Sequence, residues 1–339
     1  MTGPGVRDAR GRALRDLRVS VTDRCNFRCP YCMPRELFGP DHVFLPADQV
    51  LSIDEIATLV RVFVRLGVRK VRLTGGEPLL RPDLESLVAQ IAAEPGVEDL
   101  ALTTNGALLA RRAAGLRAAG LSRVTVSLDS LDPTVFAALA DTKVPLARVL
   151  AGLEAARDAG LAPVKLNTVL QRGVNDGGLL DLVDFARAQG HVLRVIEFMD
   201  VGSTNGWNGA QVVPAAEVLE RIGAVHPLVP IDEPRDGQVA ERWRYADGGG
   251  ELGLVSSVTR PFCGDCVRAR LTATGELHTC LFSAAGHDLR TPLREGATDD
   301  ELLAHVQGLW RVRDDRYSEL RGTTAAALLP RPEMSYLGG

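Results

Sequence analysis

The sequence predicts an α/β fold: a partial TIM-type barrel of six units, (β/α)6, with a smaller C-terminal domain capping its open side. Three observations predict it. Short β-rich runs alternate with helical patterns through roughly the first two hundred residues, the arrangement of a parallel sheet. Those runs alternate apolar with polar residues, whereas strands of a doubly wound sheet, covered on both faces, read as nearly continuous apolar runs. Past about residue 210 the pattern stops, and a differently organised segment with its own cysteines follows. The expected division is residues 1–225 and 226–339.

The elements follow in order. The first twenty residues lack the apolar stretch of a signal peptide and read as a disordered basic arm that runs into the first strand. The strand candidates are LRVSV (17–21), KVRLTG (70–75), LALTTN (100–105), RVTVSLD (123–129), VKLNTVL (164–170) and VLRVIEF (192–198). Between the first two, SIDEIATLVRVFVRLG opens with a capping box, Ser52 and Glu55, and carries Ile53, Ile56, Val60 and Phe63 on one face. DLESLVAQIAAE, ARRAAGLRAAG, ARVLAGLEAARDAG and LLDLVDFARAQG follow the same rule, several ending near a glycine. In the C-terminal part PAAEVLERIGA and ELLAHVQGLW read as helices, ERWRYADGGGELGLVSS as a hairpin, and the tail PRPEMSYLGG as extended.

Alternation orients the strands. In five of them one phase is apolar: Leu17, Val19, Val21; Val71, Leu73; Leu100, Leu102; Val124, Val126, Leu128; Val164, Leu166. The other phase is polar or small and holds Arg18, Ser20, Thr22, Arg72, Thr74, Ala101, Thr103, Asn105, Thr125, Ser127, Asp129, Lys165 and Asn167. Side chains alternate across a strand, so the apolar set faces the helices and the polar set shares one space. Ordinary barrels fill that space with Val, Ile and Leu. Here it is expected to be a wet, cationic lumen that suits a polar anionic ligand. In the sixth strand Arg194 and Met199 fall on opposite phases, so alternation does not orient both.

Net charge −4 argues against a general nucleic-acid binder. No apolar run is long enough to cross a bilayer. The expectation is a cytoplasmic protein with no membrane and no nucleic-acid partner. Disulfides are disfavoured in that compartment, so its six cysteines point to metal or catalysis.

The cysteines form two trios. Cys25, Cys29 and Cys32 are spaced C-x3-C-x2-C directly after the first strand, where barrel enzymes place their chemistry. Three thiolates can hold three corners of an iron–sulfur cube and leave one iron for a small molecule. Structural zinc is the alternative, but it takes four closed ligands, and His42 would need a long reach. Cys263, Cys266 and Cys280 form the second trio. His278 lies two residues before Cys280, so a Cys3His zinc site is chemically reasonable there. Arg268 and Arg270 lie between these cysteines; on an extended segment both point the same way, a disposition suited to bidentate phosphate contacts.

CNFRCPYC resembles the signature of the radical S-adenosylmethionine (SAM) superfamily, and TGGEPLLRPDL resembles its SAM-binding Gly-Gly-Glu-Pro stretch, where Gly75 and Gly76 would let backbone approach the ligand. A closer resemblance runs in order from about residue 17 to the end: LRVSVTDRCNFRCPYCMP, RLTGGEPLLRPDL, LTTNG, VSLDSLDP, VKLNTVLQRGVND, RVIEFMDVG, PFCGDCVRARLTATGELHTCLFS and the terminal GG. These stretches are similar to the GTP 3′,8-cyclase family of molybdenum cofactor biosynthesis.

The resemblance implies two 4Fe–4S clusters, one on Cys25, Cys29 and Cys32 and one on Cys263, Cys266 and Cys280, so that the C-terminal domain is an iron–sulfur domain. SAM on the first would give a 5′-deoxyadenosyl radical that abstracts hydrogen from C3′ of GTP; the C3′ radical would add to guanine C8. By motif position Arg18, Arg72, Thr103, Lys165, Arg268 and Arg270 would contact GTP, and Tyr31, Gly76, Ser127 and Met199 would contact SAM, with Arg194 beside SAM or the triphosphate. Alternation independently places Arg18, Arg72, Thr103, Ser127 and Lys165 inward and prefers Thr103 over Thr104. Gly338 and Gly339, with no side chains, would reach into the active site and support SAM cleavage. A low-potential ferredoxin or flavodoxin is the expected electron donor, cyclic pyranopterin monophosphate synthase the downstream enzyme, and a homodimer an open question. The second enzyme reading is a peptide-modifying radical SAM protein of the sulfatase-maturase type, which generally carries more C-terminal cysteines and has no need of a cationic lumen. The third is a zinc-stabilised binding protein.

Overall fold

Six strands form where the sequence alternates: β1 Asp16–Ser20, β2 Lys70–Thr74, β3 Asp99–Thr104, β4 Arg123–Ser127, β5 Lys165–Leu170 and β6 Val192–Glu197. Consecutive strands pair in parallel. Between them run α1 Ile53–Arg65, α2 Leu84–Ala92, α3 Leu109–Ala118, α4 Pro133–Ala140, α5 Leu146–Asp158 and α6 Leu179–Ala188. Both halves of the Ser52–Glu55 capping box are present at α1. Helix α4 was not legible; Asp132 caps it through the Thr134 and Val135 amides, and Pro133 opens it. The computed structural model describes residues 5–202, 205–232, 237, 239–283, 285–321 and 333–338.

The apolar phase of each strand meets these helices. Leu17, Val19, Val71, Leu73, Leu102, Val124, Val126 and Leu166 are fully buried in one core cluster with Ile56, Val60, Phe63, Leu87 and Leu116. This burial fixes strand register, because a one-residue slip would turn every apolar side chain into the lumen.

The C-terminal part joins the same sheet rather than packing on it from outside. After α7 Ala215–Gly223 come β7 Leu228–Pro230, β8 Glu241–Tyr245 and β9 Glu251–Val255, then β10 Arg268–Leu271, β11 Glu276–His278 and β12 His287–Asp288. Among the described residues the order is β12-β11-β10-β1-β2-β3-β4-β5-β6-β9-β8-β7. β9 pairs in parallel with β6, and β10 in parallel with β1, so each edge of the barrel carries an antiparallel hairpin and the two hairpins flank its open side. The helices that follow are α8 Arg290–Arg294, α9 Asp299–Arg311 and α10 Tyr317–Leu320. No helix among the described residues is long and apolar enough to cross a membrane.

Two expectations are corrected. The arm from residue 5 is ordered: Val6 hydrogen-bonds to Leu66, Leu14 is fully buried, and Asp8 forms a buried pair with Arg12 at 2.6 Å. Its basic character serves internal pairing, which reading it as a solvated arm missed. The described part of the tail is not extended: Met334–Leu337 forms one helical turn, α11, with Leu337 fully buried.

Candidate active site

The inward phase is as polar as alternation requires. Arg18 stands level with Arg72 on one side and Arg270 on the other. Arg72 donates to Thr103 Oγ1 and Thr125 Oγ1, each at 3.1 Å. Thr104, on the other phase, donates to Glu77 instead. Arg194 pairs in register with Asn167 and donates to its Oδ1 at 2.9 Å, so it faces the lumen. The sixth-strand ambiguity resolves because β6 ends at Glu197: alternation stops there, and Met199 packs beyond the strand beside Val201, Phe282 and Cys280.

A cavity of about 830 Å³ lies among these residues, walled by Arg18, Arg72, Lys165, Arg194 and Arg268. The Nε atoms of Arg18, Arg72 and Arg270, and Nε and Nη2 of Arg268, are buried without a hydrogen-bond partner. Burial, then Arg123, Arg194, Lys70 and Arg72, push Lys165 down to about 7. Burial would raise Asp16, but Lys70 and three arginines outweigh it and hold it at about 2. Crowded, desolvated cations of this kind are costly until an anion completes them.

The first trio lies in the loop after β1. Its thiols are free, Phe27 N–H points at Cys25 Sγ at 3.4 Å, and Asn105 Nδ2 reaches the same sulfur at 3.9 Å. Burial pushes Cys25 up to about 11 and Cys32 to about 12, with Cys25 and then Glu333 adding to the effect at Cys32. Gly75 and Gly76 serve this loop. A Cβ at Gly75 would fall 2.5 Å from Thr22 O, and one at Gly76 2.4 Å from Arg24 O. The close approach seats the cysteine loop on the end of β2, with Gly76 N–H donating to Thr22 O at 2.8 Å. Tyr31 donates its hydroxyl to Asp129 at 2.6 Å, and Ser127 ends β4 on the inward phase.

The second trio brackets β10 and β11. Cys266 lies two residues before β10, where Arg268 and Arg270 stand level with the inward Asp16 and Arg18 of β1 and so project into the lumen. Burial would raise Cys266, but Arg268, Arg313 and Arg270 outweigh it and hold it at about 7; burial leaves Cys280 pushed up to about 11. Arg12 donates to Cys263 O at 2.7 Å and Arg313 to Cys266 O at 2.9 Å, both anchored on Asp8. Among the described residues no three His, Cys, Asp or Glu side chains converge on a single ion. Thiolates on one zinc lie within about 4 Å of each other, since Zn–S is about 2.3 Å. His278 stays beside Glu276 and Tyr336. Three spaced free thiols with N–H donors at sulfur fit a multi-iron cluster better than a lone ion.

The tail joins the two trios. Met334 packs in the cluster that holds Cys280 and Met199, the charge of Glu333 is felt at Cys32, and Gly338 abuts Thr74 and Gly75. Gly339 lies outside the described residues.

Several site residues were missed by the sequence reading. Glu77 accepts from Thr104, the Asn105 amide and the Leu79 amide, and burial pushes it up to about 7. Asp129, which alternation places inward without a role, is pushed up to about 6 by burial while bonded to Tyr31 and the Val169 amide. Asp8, Arg12 and Arg313 carry no local motif; they sit among other charges in the sequence, and only their burial and pairing single them out. Asp16, Lys70, Asp99 and Arg123 extend the inward phase to the N-terminal ends of the strands. Lys70 pairs with Asp16 at 3.3 Å, and Arg123 with Asp99.

A half-open parallel barrel with a three-cysteine loop on its first strand and a Gly-Gly-Glu turn on its second defines a radical SAM protein. The superfamily model matches residues 19–186, and the model described as Molybdenum Cofactor Synthesis C matches residues 191–319. The solved structure of Streptococcus suis SuiB bound to S-adenosylmethionine shares the fold, with a TM-score of 0.59 and 14% identity over 94% of this chain and 76% of that one. The chain belongs to the GTP 3′,8-cyclase family: it is 53% identical to the GTP 3′,8-cyclase of Acidothermus cellulolyticus over 100% of both chains, and 43% identical to that of Staphylococcus aureus over 98% of this chain and 99% of the relative.

Proposed function

We propose that this chain is the GTP 3′,8-cyclase of molybdenum cofactor biosynthesis, working with two 4Fe–4S clusters and SAM. The observation that carries the reading is the set of buried, unpartnered guanidinium N–H groups of Arg18, Arg72, Arg268 and Arg270, gathered in one lumen flanked by the second thiol trio. Cys25, Cys29 and Cys32 would hold the first cluster, and Cys263, Cys266 and Cys280 the second. A cluster with SAM supplies one-electron reductive cleavage and hence a hydrogen-abstracting 5′-deoxyadenosyl radical.

This chain's residues do the rest. Arg18, Arg72, Lys165, Arg268 and Arg270 neutralise the triphosphate, and Thr103 orients Arg72 while offering a hydroxyl of its own. Arg194, fixed by Asn167, adds charge on the far wall. Tyr31, Gly76, Ser127 and Met199 line the SAM side. The apolar cluster of Val201, Phe282 and Tyr317 closes the space near Met199, and Gly338 plugs the gap at Thr74, so that water is kept from the reacting C3′ and C8. We place the barrel in residues 1–225, which hold β1–β6, and the second iron–sulfur segment in 226–339, which hold β7–β12 and the tail. A low-potential ferredoxin or flavodoxin supplies the electron, and cyclic pyranopterin monophosphate synthase consumes the product, in the cytoplasm. Oligomeric state, including a homodimer, does not enter the chemistry.

The test is incubation of the reduced, cluster-loaded protein with SAM and GTP deuterated at C3′. The expected result is 5′-deoxyadenosine carrying the deuterium, formed only with GTP, together with a product bonded between C3′ and C8. Formation of unlabelled 5′-deoxyadenosine irrespective of GTP, or dependence on a peptide, overturns the reading.

A further inference from the structure

The outer face of the first cysteine loop carries charge for which the lumen has no use. A cavity of about 560 Å³ opens there, with Cys25 and Asn26 in its wall and Arg28, Arg35, Lys143 and Arg148 around it. Asp141 is its single acidic lining residue, and it is taken up by Arg35 through two contacts of 2.7 and 2.8 Å. Arg28 directs its donors to the carbonyls of Phe38, Cys25 and Phe27, which ties the loop together but leaves its charge unneutralised. Arg28, Lys143 and Arg148 make no ion pair among the described residues. Lys143 and Arg148 are exposed, and Leu37 and Val43 stand out nearby in sequence at 49% and 87% exposure. On the inner side the trio is closed in by the barrel and by the tail at Thr74 and Gly75. Cys25 therefore meets the surface at a basic face.

We propose that this face docks the protein that delivers the electron: a small acidic one-electron carrier whose carboxylates meet Lys143 and Arg148 and whose redox centre sits over Cys25 and Asn26. This rests on the reading that the first trio holds the electron-accepting cluster. One electron leaves the carrier, which is oxidised by one unit, and enters the group held by Cys25, Cys29 and Cys32, which is reduced by one; no proton or atom crosses the interface. Complementary rim charges act chiefly on encounter rate and on salt dependence.

The experiment compares the cluster-loaded wild type with the double variant Lys143→Glu/Arg148→Glu, using a reduced acidic flavodoxin as the probe and dithionite as a small reductant. Arg244→Glu, an exposed basic position on β8, is the control. With flavodoxin at low salt, cluster bleaching in the double variant is expected to slow about tenfold or more, and flavodoxin affinity to fall alongside it. The fall of the wild-type rate with rising salt should largely vanish in the variant. Dithionite reduction, and cyclisation driven by it, should match the wild type, as should the control throughout. Flavodoxin binding and reducing the double variant as fast as the wild type at low salt overturns the docking face. Failure of dithionite to support cyclisation by the wild type overturns the functional reading instead.

Discussion

The Tyr336 hydroxyl donates to the carboxylate of Glu276 at 2.9 Å and meets Thr274 Oγ1 at 2.8 Å, so the chain's last turn is tied to the β10–β11 hairpin that leads into Cys280. Tyr336→Phe removes both contacts without changing shape. One or two such bonds are worth about 1–2 kcal/mol, so GTP-dependent SAM cleavage should fall about fivefold to thirtyfold, while iron content and GTP affinity stay unchanged. Single-turnover assays beside iron analysis and GTP binding check it; equal turnover in the variant shows that the tail needs no latch.

Gly338 has φ +70°, and a Cβ there would fall 2.3 Å from Thr74 Cγ2 and 3.4 Å from the Gly75 amide. Thr74 is buried and β-branched, so it cannot swing aside. Gly338→Ala should expel the tail and lower turnover by about tenfold or more, with the cluster spectra retained. Adding one bulky residue after Gly339 should act in the same direction.

If Lys165 meets the triphosphate as proposed, GTP binding is expected to depend on pH. The Lys165 pKa is lowered to about 7 in the GTP-free protein, chiefly by burial. Below pH 7 the ammonium is already charged and meets the triphosphate without cost. Above pH 7 it is neutral, and binding must draw in a proton, so affinity falls as pH rises, by up to about tenfold per unit. Lys165→Arg stays charged throughout and should flatten this slope; the γ-phosphate titrates equally in both proteins and cancels in the comparison. Calorimetry in buffers of different ionisation enthalpy reads the proton uptake. Identical uptake by both proteins places the proton elsewhere.

Asp8 receives Arg12 and Arg313, and all three are buried. Asp8→Ala would leave the buried Arg12 guanidinium without its counter-charge and Arg313 with Asp315 alone, at 3.4 Å, which costs about 3–5 kcal/mol. Thermal unfolding should shift clearly downward, and cluster assembly at Cys263 and Cys266 should drop with it, because Arg12 and Arg313 hold the carbonyls of those two residues. An unchanged melting temperature would show that the arm contributes nothing to the fold.

Much of the site was legible because its signals are local. Lys165, Thr103 and Arg72 are inward for the same reason that Leu166, Leu102 and Leu73 are outward: consecutive side chains in a strand point to opposite faces. Where the strand ends, the rule ends, which is why Met199 could not be oriented before β6 was seen to stop at Glu197. The two glycines of the Gly-Gly-Glu turn were visible as glycines, but their partner, the cysteine loop backbone, was not. Glu77 reads as an ordinary acidic residue in a turn, and Asp129 as an inward polar residue without a partner; only their burial beside Asn105 and Tyr31 marks them out.

The sequence by itself determined the six-unit parallel barrel, its helix-facing and lumen-facing surfaces and the two cysteine trios, because alternation, helix periodicity and cysteine spacing are properties of neighbouring residues. Only the tertiary structure decided that β10 lies beside β1 and β9 beside β6, that Asp8 meets Arg313, and that Gly338 rests on Thr74. Those contacts join residues far apart along the chain, so no short-range period encodes them. They follow from which edges and charges remain unsatisfied once the barrel has formed.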